Sequence, residues 1–139
     1  MAFTYSRTIH FPDTDAAGVV FFARYLSIAH EGYEEALQAA GIDLNTFFSD
    51  HDVVVPIARS EASYLRPLSC GDKITVEITP RRLSENSFAI DYVLKRITPP
   101  AKRAAVIRTE HVCIGSTSRE RCALPTDLAR WVDGAAGDS

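Results

Sequence analysis

The sequence predicts an α+β domain in which one long helix packs against an antiparallel sheet of five strands. Two observations support this fold class. Apolar residues alternate with a period of two at the start of the chain and in four later segments, whereas over residues 22–40 they recur with the period of a helix. The four later strands follow one another with short turns, so we expect an antiparallel meander on one side of the helix.

The first strand is predicted at residues 3–11. Aromatic and β-branched residues alternate with polar ones in the run F-T-Y-S-R-T-I-H-F, which is typical of a half-buried strand. Pro12 ends this strand. A loop is predicted over residues 12–21, because Pro, Thr, Gly and two Asp residues disfavour regular structure there.

The long helix is predicted over residues 22–40. Gly41 follows its last apolar position, where a left-handed residue commonly ends a helix. Gly32 lies inside the helix at a cost of roughly 1 kcal/mol relative to Ala, so we expect the helix to approach another backbone closely there. A short second helix is predicted over residues 44–49, capped by Asp43. The apolar stripe of the long helix comprises Leu26, Ala29, Tyr33, Ala36, Leu37 and Ala40.

Four further strands and a last short helix are predicted in the rest of the chain. Pro56 and Pro80 fall inside two of the strands, so we expect sheet edges or bulges there. The predicted strands are 53–66, 73–83, 87–97 and 104–116, and the helix opens near residue 125 and carries Leu128 and Trp131. We assign residues 1–133 to a single domain and residues 134–139 to a flexible tail. Because one helix cannot cover five long strands, we expect the chain to form at least a homodimer.

Length and composition limit the function classes. With 139 residues, 46% apolar and 24% charged, the chain is expected to be soluble and globular. Its net charge of −3 argues against a nucleic-acid-binding protein. No apolar run approaches the roughly 20 residues of a membrane span, and the N-terminal residues lack a signal-peptide pattern, so we expect a cytoplasmic location. Three cysteines without a C-x-x-C pair predict neither a disulfide framework nor a zinc site.

The loop before the long helix carries the residues best suited to chemistry. Asp13 and Asp15 flank a threonine, and the chain then passes through A-A-G to the start of the helix. Backbone N–H groups at a helix start can stabilise an oxyanion, and a carboxylate beside them can attack a carbonyl or activate water. Gly18 would allow a ligand to approach the main chain. The same pattern fits two ordinary turn or capping residues, and no third carboxylate follows nearby to complete a metal site.

The run F-P-D-T-D-A-A-G-V-V-F-F-A-R-Y-L, followed by H-E-G-Y-E, resembles the signature of the 4-hydroxybenzoyl-CoA thioesterase family of hot-dog proteins. The resemblance covers nearly the whole chain. It implies a hot-dog fold, in which a five-stranded antiparallel sheet wraps around one long helix, and an acyl-CoA thioesterase that needs no metal or cofactor, CoA being part of the substrate. It also implies a homodimer that assembles into a homotetramer. The runs H-E-G-Y-E, C-G-D and E-H-V-C-I resemble the branch that hydrolyses 1,4-dihydroxy-2-naphthoyl-CoA in phylloquinone (vitamin K1) biosynthesis.

The resemblance also assigns roles to residues. It places the catalytic carboxylate on Asp15, either as nucleophile or as the base that activates water, and leaves Asp13 as a structural partner. It places the oxyanion donor on the backbone N–H of Phe22. Some relatives have a catalytic histidine at that position, and this chain does not. The expected substrate-binding residues are Gly18, Val19, Phe22, Tyr25 and His30, although packing is the favoured role for Tyr25 and His30.

The sequence is also compatible with other functional hypotheses. The chain could hydrolyse other acyl-CoA or acyl-carrier-protein thioesters, such as short-chain or hydroxybenzoyl groups, or could bind acyl thioesters without turnover. A cysteine nucleophile is disfavoured, because neither Cys70 nor Cys113 has a histidine and an acid nearby in sequence. His10 and His111 are expected in strands and His51 in a loop, without evident partners. Candidate anchors for the CoA phosphates are Arg66, Arg81, Arg82, Lys95, Arg96, Lys102 and Arg103, whereas the turn at Ser84, Glu85 and Asn86 lacks the basic residues of better-known relatives.

Overall fold

The structure is a computed structural model that describes residues 2–49 and 52–137. The predicted loop residue His51 lies outside the described residues. The helices are α1 (Arg24–Ala39), α2 (Leu44–Ser49) and α3 (Thr126–Gly137), and a 3-10 turn occupies Phe11–Asp13. The strands are β1 (Phe3–Thr8), β2 (Val53–Val54), β3 (Ile57–Tyr64), β4 (Lys73–Ser84), β5 (Ser87–Arg96), β6 (Lys102–Val112) and β7 (Ile114–Gly115).

Five strands form one antiparallel sheet in the order β1-β4-β5-β6-β3. This arrangement confirms the predicted α+β class, with one long helix on a five-stranded antiparallel sheet. The predicted meander holds for β4, β5 and β6, but it is wrong for β3, which pairs with β6 and not with β4. The link over residues 65–72 carries the chain from the β3 edge to a position beside β1. β2 and β7 form a separate two-stranded ribbon.

The structure divides two of the predicted strands. Residues 53–66 form β2 and β3 on either side of Pro56, and residues 104–116 form β6 and β7 on either side of Cys113. Pro56 thus occupies a break between strands, where its missing N–H costs no ladder hydrogen bond. Pro80 remains inside β4, but it lies beyond the last β4 residue that pairs with β1, so it is at a sheet edge as expected.

The helices lie close to their predicted positions. α1 begins at Arg24, two residues after the predicted start, and α2 matches its predicted range. The Asp43 carboxylate accepts a hydrogen bond from the Asn45 N–H at 3.1 Å, as a helix cap does. α3 continues through Gly137, past the predicted domain end at residue 133, and flexibility at the C-terminus stays a prediction. Among the described residues, no helix combines the length and the apolar character needed to cross a membrane.

α1 packs on the sheet through a face that contains Gly32. A Cβ atom added at Gly32 would lie 2.5 Å from Ile78 Cδ1 and 3.4 Å from Val76 Cγ1, so the glycine allows the helix to approach β4. The closest neighbours of Gly32 are therefore side chains, and the prediction that the helix approaches another backbone there is wrong. The predicted stripe is also displaced, since Leu26 is only half-buried and Ala40 is exposed beyond the helix end. The buried face comprises Tyr25, Ile28, Ala29, Gly32, Tyr33, Ala36 and Leu37.

Candidate active site

The two acids of the predicted site lie in one loop but in opposite environments. Asp13 ends the 3-10 turn after β1 and is only 1% exposed. Asp15 lies two residues further on and is at the surface. An ionised carboxylate in the interior must be paired, whereas a surface carboxylate is free to meet a ligand. Burial therefore separates two residues that the sequence pattern presents as equivalent.

Both carboxylate oxygens of Asp13 are engaged. Oδ2 accepts hydrogen bonds from Arg7 Nη2 and from the His10 N–H, the latter at 2.8 Å, and Oδ1 accepts one from Arg24 Nε at 2.9 Å. Its main-chain carbonyl accepts a hydrogen bond from the Phe21 N–H at 3.0 Å. Burial alone would raise the pKa of Asp13, but the His10 N–H and the Arg24 and Arg7 guanidinium groups outweigh it and hold the pKa below its usual value.

Asp15 is held by a tight turn that leaves one carboxylate oxygen open. Its Oδ1 accepts a hydrogen bond from the Ala17 N–H at 2.8 Å, and its own N–H donates to the Val19 carbonyl at 2.9 Å. Gly18 closes the turn with φ +82°, and a Cβ atom added there would have no neighbour within 4 Å. Within the described residues, Oδ2 of Asp15 has no hydrogen-bond partner. The carboxylate is thus oriented by the backbone and accessible to a ligand.

The start of α1 offers unused backbone donors. Ala23 occupies the N-cap position without a side-chain cap, and α1 follows from Arg24. The Phe22 carbonyl accepts a hydrogen bond from the Tyr64 hydroxyl at 3.2 Å, which fixes the orientation of this peptide. In the described part of the chain, the N–H groups of Phe22 and Ala23 have no acceptor. These N–H groups can therefore serve a bound oxyanion, as predicted for Phe22.

A cleft of about 350 Å³ opens beside these donors. Three of the predicted substrate-binding residues, Val19, Phe22 and Tyr25, lie on its wall. The Tyr25 ring is buried and meets the Tyr64 ring edge-on, with ring centroids 5.0 Å apart. Asp15 and Gly18 do not line this cleft in a single chain. The full lining is Val19, Val20, Phe22, Tyr25, Tyr64, Leu65, Arg66 and Pro67, so it is largely apolar with one guanidinium group.

His30 lies outside this cleft. Its Nδ1 is 2.7 Å from Glu34 Oε2, one helical turn further along α1, and its ring packs against Phe48. It lines a smaller cavity of about 90 Å³ between α1 and the sheet, together with Tyr92 and Thr109. The structure therefore does not place His30 with the other predicted substrate-binding residues.

Arg7 and Arg24 belong to the cluster around Asp13 and are not among the predicted site residues. Arg7 points inward from β1 and also lies 3.0 Å from Glu31 Oε1 on α1. The signal was available in the sequence, because Arg7 falls on the same side of the predicted strand as Phe3 and Tyr5. A charged residue in such a row requires a partner of opposite charge.

A buried polar chain around His111 is a second feature that the predictions omit. The Tyr92 hydroxyl lies 2.9 Å from Thr109 Oγ1, which lies 2.7 Å from His111 Nε2. The ring of His111 stacks on Phe88, with centroids 4.6 Å apart. Burial, together with the nearby charge of His30, lowers the pKa of His111 to about 4, so the buried imidazole is neutral. Thr109 and His111 lie two residues apart on one face of β6, a spacing that could have revealed this pair.

The candidate phosphate anchors differ in how far they are engaged. Arg66 lines the cleft beside Phe22. Lys102 and Arg103 form no ion pair among the described residues. The other four candidates are each paired with a carboxylate, namely Arg81 with Asp91 at 2.9 Å, Arg82 with Asp133 at 2.8 Å, Lys95 with Glu77 at 2.9 Å and Arg96 with Asp72 at 3.5 Å. Arg66 is thus the best-placed cation for an anionic ligand of the cleft.

The cysteines are poorly suited to nucleophilic chemistry. Cys113 is buried with its Sγ 3.5 Å from Cys122 Sγ, a proximity that the sequence spacing did not indicate. Burial and the Cys122 thiol raise the pKa of Cys113 to about 12, so it is a thiol rather than a thiolate. Cys70 is an exposed free thiol. Among the described residues, no three His, Cys, Asp or Glu side chains are arranged to hold a metal ion.

Known proteins match this chain over nearly its full length. Residues 9–132 match a family model described as the thioesterase-like superfamily. A 1,4-dihydroxy-2-naphthoyl-CoA hydrolase from Crocosphaera subtropica is 46% identical, over 93% of this chain and 94% of that protein. A protein of the same name from Thermosynechococcus vestitus is 43% identical, over 94% of this chain and 88% of that protein. A solved 1,4-dihydroxy-2-naphthoyl-CoA thioesterase from Synechocystis superposes with a TM-score of 0.91 at 32% identity, covering 96% of each chain, and this likeness confirms the predicted hot-dog fold.

Proposed function

The chain belongs to the thioesterase-like superfamily and is an acyl-CoA thioester hydrolase, and we propose that it hydrolyses 1,4-dihydroxy-2-naphthoyl-CoA to 1,4-dihydroxy-2-naphthoate and CoA. The observation that carries the choice of substrate is 46% identity to a hydrolase of that name over 93% of the chain. We place this reaction in phylloquinone biosynthesis and in the cytoplasm. Water supplies the oxygen of the new carboxylate, and CoA leaves as its thiolate.

We assign the attack to Asp15. Its Oδ1 is held by the Ala17 N–H, and its Oδ2 is unpartnered within the described residues, so one oxygen can face the acyl carbon or a water molecule. In one route Oδ2 bonds to the acyl carbon and water then cleaves the resulting anhydride. In the other route Asp15 takes a proton from the attacking water. Either route ends in the same products.

The open N–H groups of Phe22 and Ala23 supply the partial positive charge that stabilises the developing oxyanion. As the thioester carbonyl is attacked, its oxygen becomes an oxyanion that needs fixed hydrogen-bond donors. The start of α1 adds the positive end of the helix dipole, equivalent to roughly half an elementary charge. A thiolate is a good leaving group, so a strong general acid is not required.

The cleft at the start of α1 is suited to the rest of the substrate. Its apolar wall, including Val19 and Tyr25, can bury an aromatic acyl group, and Arg66 can meet a CoA phosphate. Gly18 places no side chain in the open space beside the adjacent turn. The cleft is open in a single chain, so a homodimer that brings a second copy against this surface, beside the Asp15 and Phe22 N–H of the first, is part of the proposal. Assembly of two dimers into a tetramer is a further part.

Hydrolysis of a panel of acyl-CoAs tests the proposed function. We expect purified protein to release free thiol from 1,4-dihydroxy-2-naphthoyl-CoA with a higher kcat/KM than from 4-hydroxybenzoyl-CoA or short aliphatic acyl-CoAs. Asp15→Asn is expected to lower kcat by about 10²- to 10⁴-fold, because an amide neither attacks nor takes a proton. Asp43→Asn, a matched change in another exposed capping loop, should leave kcat unchanged. A preference for aliphatic substrates would contradict the substrate, and full activity in Asp15→Asn would contradict the catalytic assignment.

A further inference from the structure

The carboxylate of Asp13 joins three segments that surround the site. Arg7 reaches it from β1, the His10 N–H from the 3-10 turn, and Arg24 from the first turn of α1. All three donors meet a side chain that is 1% exposed. Arg7 also contacts α1 directly, through Glu31 at 3.0 Å.

Both oxygens of Asp13 accept hydrogen bonds and the side chain is buried, so the carboxylate is not accessible to a ligand. Taking a carboxylate out of water is costly unless it is paired, and here two guanidinium groups and a backbone N–H compensate it. Removing the charge would leave Arg7 without one of its two carboxylate partners, the other being Glu31. The arrangement is therefore sensitive to the charge of Asp13 as well as to its size.

The main chain at Asp13 connects the two halves of the site. Its carbonyl accepts a hydrogen bond from the Phe21 N–H, and Phe21 immediately precedes the open N–H group of Phe22. Asp15 lies two residues after Asp13 on the other side, and a bridge between Thr14 and Val20 closes the loop between them. A shift of Asp13 would thus move the attacking carboxylate and the oxyanion donors relative to each other.

We infer that Asp13 is a positioning residue of the hydrolase, whose ion pairs with Arg7 and Arg24 hold the loop bearing Asp15 and the Phe22 N–H in the arrangement that the reaction needs. This inference rests on the proposed function. It assigns Asp13 no contact with substrate. A displacement of about 1 Å at reacting groups can cost about 10²-fold in rate, so loss of the clamp should be seen in turnover before it is seen in binding.

Steady-state kinetics of Asp13→Asn and Arg24→Gln test the inference. We expect kcat to fall by about 10- to 100-fold while KM changes by less than about 3-fold, because Tyr25 of α1, Tyr64 of β3 and the residues after β3 hold most of the cleft wall in place. Arg24→Lys should recover most of the loss, since it keeps a cation beside Asp13. Arg130→Gln, on the exposed face of α3, is the matched control and should behave as wild type.

Hydrogen–deuterium exchange gives a readout that does not depend on activity. In Arg24→Gln we expect faster exchange over residues 10–23 and unchanged exchange in the C-terminal half of α1. Should Asp13→Asn fail to fold, Arg24→Gln decides, because its side chain is 43% exposed and its loss leaves no cavity. A variant with lower thermal stability but with wild-type kcat per folded molecule and wild-type loop exchange would overturn the inference. If the wild type hydrolyses no acyl-CoA, the proposed function fails, and the exchange measurement still decides whether Asp13 holds the loop.

Discussion

At the scale of single residues, the buried His111 makes the free energy of unfolding depend on pH. Its pKa lies near 4 in the folded protein and near 6.5 when the chain is unfolded, mainly because burial disfavours the imidazolium. Between these values the unfolded chain binds a proton that the folded chain does not. The free energy of unfolding should therefore fall as the pH is lowered from about 6.5 to about 4. His111→Phe, which can still stack on Phe88, should show a smaller fall over the same range.

Urea unfolding at several pH values between 4 and 7 measures this effect. The comparison is between slopes, since His111→Phe also removes a partner of Thr109 and so lowers stability at every pH. Leu83→Ala, at an exposed position without a titratable group, serves as the control and should keep the wild-type slope. Identical slopes for wild type and His111→Phe would show that His111 is not the group responsible.

Asp13 and Asp15 show how far the site could be predicted from the sequence. The D-x-D pattern, the glycine and the following helix locate the loop and its backbone donors correctly. Which acid is buried depends on whether Arg7 of β1 and Arg24 of α1 reach it, and those contacts exist only once the helix lies on the sheet. The resemblance to a family indicated which of the two acids is the structural partner. The periodicity of the sequence could not indicate it. The separate location of His30 could not be predicted for the same reason.

At the scale of elements, the contact between α1 and β4 depends on Gly32. Alanine is a better helix residue than glycine by roughly 1 kcal/mol, but its Cβ would meet Ile78 Cδ1. Gly32→Ala should therefore be destabilising in the wild-type chain and less so, or stabilising, when Ile78→Val has removed that methyl group. We expect a coupling free energy of about 1 kcal/mol between the two changes. Thermal or urea unfolding of the four proteins of this double-mutant cycle measures it.

A double-mutant cycle of Gly32→Ala with Ile74→Val provides the control. Ile74 is buried in the same strand, but none of its atoms is among those nearest to Gly32. Its coupling to Gly32→Ala should be close to zero. Additive effects in both cycles would mean that Gly32 is not needed for the approach to β4. The helix itself was predictable from its period and from Gly41. The identity of the neighbour was not, because it depends on which strand lies beneath the helix.

At the scale of the whole molecule, strand order is the feature that local patterns leave undetermined. Periodicity located the strands, although β1 ends at Thr8 and not at residue 11 as predicted, but pairing β3 with β6 is a long-range choice. That choice leaves β3 at one edge of the sheet, opposite β1. Both faces of β3 are largely exposed, and large apolar side chains lie at its two ends, Ile57 and Tyr64. An edge of this kind is a natural site for pairing with a second copy of the chain.

We therefore predict that the chain associates through β3. Light scattering after size-exclusion chromatography should give at least a dimer for the wild type. Ile57→Lys replaces an apolar side chain that is 44% exposed with a charged one, so it should shift the protein toward monomer on dilution. Leu83→Lys, at an equally exposed position near the far end of β4, should leave the mass unchanged. A monomeric wild type, or equal behaviour of the two lysine variants, would place the association elsewhere or remove it. If turnover per chain falls with the dimer population in Ile57→Lys, the second copy contributes to the site.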